Sequence, residues 1–352
     1  MITVFTPSFA DDSNTNAQNL TVKEVVARMD PARFQVVLFG STTPDPRIAA
    51  RPNTRILPWR KHGNAPRILL HLLTHPPEVY FFPREGPIDS IFLAARKWLS
   101  LKTALVTYVI SGSLENDHRP LIFRAIREGD VVAANSRHMA ETTQKLGGRE
   151  VQTIYDGIDH RYYYPNSSAK TAEGHSRVLF AGSFRAYKRA DLVIREAAKF
   201  PQWEFRLAGA GEEEIACRTL AQANNCTNVR FLGHLNASQL GEEMRQAQLF
   251  FFPSEIEGHP QVLGQAAACG LPCIARSSYA PDYVVNGVTG LLAASDDQLG
   301  AALAQLIGDS ALRGRMSAAA VNHAAKFNWD NVTAQWQQIF EFALNRRKGN
   351  RS

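Results

Sequence analysis

The 352-residue chain, with 45% apolar and 20% charged residues, is long enough for two domains of ordinary size, each with its own buried core. No apolar run approaches the roughly 18 uninterrupted residues that span a bilayer, and Met1 to Pro7 is too short for a signal-peptide core, so a cytoplasmic protein is expected. Four unevenly placed cysteines, Cys217, Cys226, Cys269 and Cys273, build neither a disulfide framework nor a zinc pattern. The net charge of +6 includes a basic tail, Arg346, Arg347, Lys348 and Arg351, which is either an anion-attracting patch or a solvated end.

From the amino terminus, Ile2 to Pro7 reads as a short buried strand, followed by a polar turn, Asp11 to Asn16, and an amphipathic helix over about Gln18 to Met29. Strand-like apolar runs recur at Phe34 to Phe39, Val79 to Phe82, Ala104 to Ile110, Val131 to Ala134 and Val151 to Ile154, separated by helical patterns such as Arg67 to Leu73 and Ser90 to Leu99. Strands alternating with helices predict an α/β fold with a parallel, doubly wound sheet. The stretch Pro165 to Gly174 is polar and rich in small residues and has no periodicity. It reads as an exposed linker and divides the chain into domains at 1–165 and 166–326. Beyond it the alternation restarts with a strand at Arg177 to Ala181, a helix over about Ala190 to Phe200, and strands at Glu204 to Ala208, Val229 to Leu232, Leu249 to Phe252 and Pro272 to Ala275. In the closing segment, 327–352, Val332, Trp336, Ile339, Phe340 and Ala343 form a helical stripe that must be buried, with a return to the first domain as the expectation.

Most of the chemistry lies between Phe251 and Pro272, which reads as a strand, a tight turn at Gly258, a helix and a Gly-Leu-Pro exit. The turn sets the carboxylate of Glu257 beside backbone amides at a helix N-terminus, where the macrodipole and unpaired N–H groups favour an anion such as a diphosphate. Glu257 can then accept hydrogen bonds from sugar hydroxyls while the amides face phosphate oxygens; on charge grounds alone it could equally serve only the helix end. A second region, Val178 to Asp191, is a strand ending in a basic loop, with Arg185, Lys188 and Arg189, that opens a helix. Between these, Leu207-Ala208-Gly209-Ala210-Gly211 lacks the third glycine of a dinucleotide fingerprint, and Glu212 to Glu214 would repel a pyrophosphate, so Gly209 reads as part of an ordinary strand-to-helix turn lining a nucleotide pocket. No Asp-x-Asp pair is present to hold a divalent ion, and the adjacent pairs Asp11-Asp12 and Asp296-Asp297 read as turns or caps.

The Glu257 and Lys188 segments together resemble the donor site of retaining GT-B glycosyltransferases of family four, the glycosyl transferases group 1. The resemblance implies two Rossmann-like domains with parallel sheets facing across a cleft. It implies transfer of a sugar from a nucleotide-diphosphate donor to an acceptor hydroxyl, on a glycan, a lipid-linked molecule or a small molecule. By the family pattern Glu257 touches the donor sugar, within a donor loop of Gly258, His259, Pro260 and Gln261. Lys188 falls on the family's lysine for the leaving diphosphate. Ser183 stands at the usual arginine position, and Arg185, or less readily Arg189, substitutes for it. Position 265, a ribose-binding Glu in the family, is Gln265 here, which keeps an acceptor oxygen but loses the charge. Cations and amide dipoles would neutralise the departing diphosphate, so the nucleotide sugar is a co-substrate and no metal or other cofactor is expected; neither is a nucleic-acid partner. Weaker matches at Ile154 to Asp159, Asp282 to Leu292 and Phe327 to Trp329 extend the resemblance along the chain.

The first domain departs most from the pattern. Ser13 and Asn14, with Thr15 and Asn16, stand where relatives carry glycines; they either bind acceptor hydroxyls or cap the helix. Val109 stands where the family often places a histidine, and the polar loop Ser111, Gly112, Ser113, Glu115, Asp117 and His118 supplies the remaining acceptor-side candidates. Arg60, Lys61, His62 and Arg67 precede the apolar run Ile68 to Leu73, which rests on the inner face of an anionic membrane or is a packed helix with a basic start. These departures keep open a non-catalytic nucleotide-sugar-binding protein, and the same fold also serves inverting transferases and nucleotide-sugar epimerases.

Overall fold

The computed structural model describes residues 1–11, 17–81, 87–110, 120–166 and 176–349. Ser13, Asn14, Ser111, Gly112 and His118, with their polar neighbours, lie outside these residues, as does most of the polar stretch at 165–174.

The strands of the first sheet are β1 (Ile2–Ser8), β2 (Phe34–Gly40), β3 (Thr54–Pro58), β4 (Val79–Phe81), β5 (Ala104–Val109), β6 (Val131–Ala134) and β7 (Gln152–Thr153). Those of the second are β8 (Arg177–Ala181), β9 (Glu204–Ala208), β10 (Val229–Gly233), β11 (Leu249–Phe252), β12 (Cys273–Arg276) and β13 (Gly290–Ala293). The orders are β3-β2-β1-β4-β5-β6-β7 and β10-β9-β8-β11-β12-β13. Neighbours are parallel throughout, as the alternation with helices predicts. The apolar runs read as strands are strands. β3 and β13 were not anticipated: β3 is only half-buried and includes the exposed Arg55, and β13 is a run of four residues that opens on a glycine.

The chain divides into one unit of Met1–Asp156 with Trp329–Ser352 and another of Gly157–Asn328. The boundary therefore falls ahead of the polar stretch expected to contain it. Gly157 to Asn166 belongs to the second unit for backbone reasons that composition does not reveal. Ile158 N donates to Phe327 O at 2.6 Å, and Tyr162 O accepts from Arg245 at 2.8 Å while the Arg245 guanidinium lies 4.3 Å from the Tyr164 ring centre.

In the first unit the helix Trp329–Gly349 lays its stripe into the core. Trp336 is fully buried, with ring centroids 4.8 Å from both Phe81 and Tyr108, and Phe340 lies 4.9 Å from Phe81. Asp156, the last residue of the unit's first segment, is buried and accepts hydrogen bonds from Thr21 Oγ1 at 2.7 Å, Tyr108 Oη at 3.1 Å and Asn135 Nδ2 at 3.3 Å. These bonds pin the end of the first sheet's chain to its first helix and to β5. The helix Asn64–Thr74 splits the apolar run at 68–73: Ile68 and Leu72 are buried, whereas Leu70 and Leu73 are 63% and 41% exposed. Among the described residues no helix is long and apolar enough to cross a membrane.

Replacing Trp336 by Ala removes the largest fully buried side chain. The expected cost is about 3–5 kcal/mol of the first unit's stability, read from urea denaturation.

Candidate active site

In the second sheet β9 and β10 are wound to one side of β8, and β11, β12 and β13 to the other. The topological switch point falls between β8 and β11, and in open α/β sheets ligands bind beyond the strand carboxyl ends at that point. The loops leaving there, 182–189 and 253–260, are the two segments that carry the sequence motifs. They are joined directly: Glu255 N donates to Tyr187 O at 2.8 Å, and Ser254 Oγ lies 3.4 Å from the same oxygen.

Glu257 and Lys188 form an ion pair through Glu257 Oε1. The same oxygen accepts a hydrogen bond from Ser254 Oγ at 2.6 Å, and Ser254 is fully buried. Both charged side chains are mostly buried, 14% exposed for Lys188 and 12% for Glu257. The ammonium also sits 5.4 Å from the Tyr187 ring centre and 5.2 Å from that of Phe252, within cation–π range. Removing either charge would leave its partner uncompensated in a poorly hydrated place.

Arg189 and Arg185 divide the work of the basic loop. Arg189 starts the helix Ala190–Ala197 in a left-handed conformation, φ 55°, and binds Glu255 at 2.7 Å, Asp296 at 2.8 Å and Asp191 at 3.1 Å. Asp296 also pairs with Arg276, whose Nε donates to Pro253 O at 3.0 Å. Arg189 is therefore a staple between loops, neither a solvated cation nor one free for a ligand. Burial disfavours the Asp296 charge, but hydrogen bonds from Arg276 and Arg189 outweigh it and hold this carboxyl below the usual aspartate range. Arg185, by contrast, is exposed and makes no ion pair among the described residues, and Ser183, half-buried, uses its carbonyl to accept Arg185 N at 2.9 Å.

The glycines of the Gly-x-Gly turn serve close packing between loops. Gly209 has φ 134°, and a Cβ there would lie 1.9 Å from Gly182 O; at Gly211 it would lie 2.4 Å from Phe184 O. Gly182 N donates to Ala208 O at 3.0 Å and Phe184 N to Ala210 O at 3.0 Å, so the loop after β9 supports the one carrying Ser183 and Arg185 from beneath.

The helix Gln261–Ala268 follows Pro260, whose side chain has no acceptor to cap the first-turn N–H groups. Gln261 Nε2 is buried without a hydrogen-bond partner, a state that costs about 1–3 kcal/mol unless a ligand or water supplies an acceptor. Gln265, half-buried, lies one turn further along the same face. His259 is buried and stacks on Tyr283 with centroids 4.1 Å apart, and Gly264 admits that ring, since a Cβ would meet it at 2.7 Å. Gly258, half-buried, lies between Glu257 and this stack. Sequence reasoning overlooked Ser254 and Tyr279. Burial first, then the Glu257 charge, pushes the buried Tyr279 phenol well above its ordinary value, so it stays protonated beside the carboxylate. Asp11 accepts Thr42 N at 2.9 Å and Thr43 N at 2.8 Å, so its carboxylate binds the loop after β2 and not only its own turn.

Gly209→Ala is expected to destabilise the second unit by on the order of 3 kcal/mol, measured by urea denaturation, because neither carbonyl nor backbone can yield. The Asp296 staple has a definite pH sign. Its folded value is depressed, so its stabilisation is complete above the ordinary aspartate value and lost as pH falls through the lower, folded one. A carbon-detected NMR titration should place the Asp296 midpoint below the ordinary range, and Arg189→Ala should move it upward.

Residues 166–323 match the family model described as glycosyl transferases group 1. N-acetyl-alpha-D-glucosaminyl L-malate synthase of Bacillus anthracis is 28% identical over 236 residues, 62% of this chain and 61% of that protein. D-inositol 3-phosphate glycosyltransferase of Streptomyces scabiei is 27% identical over 293 residues, 72% of this chain and 65% of that protein. The chain thus matches less than two thirds of the length of either relative. Among solved structures, Anabaena HepE in complex with UDP-glucose superposes with a TM-score of 0.78 at 16% identity, covering 97% of this chain and all, 100%, of the other. Sucrose-phosphate synthase from Thermosynechococcus elongatus gives 0.76 at 17% identity, covering 97% and 98%. Residues 166–323 are thus similar to the glycosyl transferases group 1, and the chain shares the GT-B fold of these structures.

Proposed function

We propose that this chain is a retaining, metal-independent glycosyltransferase that moves a hexose-type sugar from a nucleotide-diphosphate donor to an acceptor hydroxyl. The observation that carries the reading is the Glu257–Lys188 pair at the switch point, beside a helix start whose N-cap, Pro260, supplies no side-chain acceptor. HepE, of the same fold, was solved with UDP-glucose bound, which supports a nucleotide sugar as the donor class.

In the proposed reaction the bond from the anomeric carbon to the phosphate oxygen breaks. The bond to the acceptor oxygen forms on the same face, and the departing phosphate takes the acceptor proton. Lys188 and the exposed Arg185 stabilise the diphosphate, with the first-turn amides of the helix Gln261–Ala268 adding fixed dipoles. Glu257 orients the sugar through the oxygen that Lys188 and Ser254 leave unused. Gln261 and Gln265 offer amides to the nucleotide, and these cations make a divalent ion unnecessary for charge neutralisation. The reading places the chain in the cytoplasm, consistent with four free cysteines.

Glu257→Gln and Lys188→Ala should each lower turnover by about 10²-fold or more; retention of full turnover in either overturns the mechanism. Ser254→Ala should reduce kcat/KM by about tenfold, since a hydrogen bond to a carboxylate is lost, and Ser254→Thr should restore most of it. Thermal shifts with uridine, guanosine and adenosine diphosphates, with and without magnesium, identify the base and test the metal-free claim: a magnesium requirement defeats it. Donor affinity of Gln265→Glu, measured by calorimetry, should rise if the amide holds the ribose at the position proposed.

A further inference from the structure

The end of the first unit opposite its strand carboxyl ends carries a surface that donor chemistry does not use. The loops entering β4 and β5, at 76–78 and 99–103, line a largely apolar cavity of about 600 Å³ together with Leu344, Arg347 and Lys348. A second cavity of about 340 Å³ shares Ser100 and Arg347 with it and reaches Arg96 and Lys97. Beside them, at the end of the helix Pro87–Trp98, Trp98 is 86% exposed and Leu99 56%. Tryptophan is highly buried on average, so an exposed Trp-Leu pair beside an apolar cavity marks a surface that meets another phase or molecule.

The charge around it is mainly positive: of the two lining carboxylates, Glu78 is exposed and accepts from Thr3 N at 2.9 Å, and Glu128 pairs with Arg124. Lys97, Lys102, Arg346 and Lys348 are exposed and make no ion pair among the described residues. Arg96 and Arg347 instead form the floor: Arg96 pairs with buried Asp130, and Arg347 donates to Leu101 O at 2.9 Å. Cations at helix carboxyl ends offset the helix dipole, which accounts for Lys97 and Lys348. It accounts for neither Lys102, which lies in a loop, nor the exposure of Trp98.

The kind of partner follows from the residue types. Lysine is depleted at protein–protein interfaces, whereas an aromatic ring at headgroup depth with flexible lysines around it is the arrangement that holds a protein on an anionic bilayer. We propose that this pole of the first unit docks on an anionic lipid surface, with Trp98 and Leu99 entering the headgroup layer and Lys97, Lys102, Arg346 and Lys348 supplying the attraction. The surface lies at the opposite end of the helix Asn64–Thr74 from the basic residues at 60–62 that the sequence pointed to, and it is independent of the donor-site reading.

The test is co-sedimentation of the full chain with vesicles of phosphatidylcholine alone and of phosphatidylcholine with about one third phosphatidylglycerol. Binding is expected to the anionic vesicles only, with a blue shift of tryptophan emission, and it should disappear at about 0.5 M salt. Trp98→Ser and the pair Lys97→Glu, Lys102→Glu should each weaken binding at least about tenfold at unchanged Tm, since these side chains are exposed. No binding to anionic vesicles, equal binding to neutral ones, or undiminished binding by both variants overturns the proposal. So does a change of mass in light scattering on Trp98→Ser, which would make the surface a contact between copies of the chain.

Discussion

An ammonium and a carboxylate held against each other at the carboxyl ends of two adjacent parallel strands determine how the second unit is built around them. The register of β11 on β8, with Leu249 opposite Val178 and Phe250 opposite Leu179, brings the two loops to the same height. Two largely buried opposite charges are tolerable only when their geometry is fixed and their remaining capacity is satisfied. Ser254 holds the carboxylate, the Tyr187 and Phe252 rings hold the ammonium, and the bond from Glu255 N to Tyr187 O ties one loop to the other. The Arg189 staple and the side-chain-free contact of Gly209 on Gly182 reinforce the same loops from outside and from below.

The first unit is organised differently. Its described order comes from apolar packing, in which the helix Trp329–Gly349 contributes Trp336 and Phe340 to a core made mainly by residues more than two hundred positions earlier. Some of its buried polar groups are tied into that frame: Asp156 accepts from Thr21, Tyr108 and Asn135, and Arg51 donates to the carbonyls of Met29 and Phe34. Such groups make the fold specific, because each would be costly if the chain were threaded otherwise.

What could be read from the sequence follows from which signals are local. Apolar runs bounded by turns announce most strands, so β1, β2 and β4 to β12 were visible, the edge strands β7 and β10 included, while the edge strands β3 and β13 were not. Glu257 and Lys188 were visible through their motifs, but nothing in either segment says that they bind each other. Arg189 looked like a spare cation because its carboxylates, Glu255 and Asp296, lie far along the chain. Ser254 and Tyr279 escaped because a lone hydroxyl in a loop has no pattern. The boundary was displaced because Gly157 to Asn166 is bound through its backbone and two tyrosines, leaving no compositional trace.

The pairing of Lys188 with Glu257 also bears on what the proposed donor site admits. A lone lysine at a helix start would collect any small anion in solution, whereas this one already carries its own counter-charge. Inorganic phosphate would have to displace a carboxylate that a buried serine keeps in place, with no further contact to compensate. A ligand that brings both an anion for the ammonium and hydroxyl donors for the carboxylate can satisfy both halves at once. On the donor-site reading proposed above, the pair acts as a filter, closed to bare anions and open to molecules that join a phosphate to a polyol.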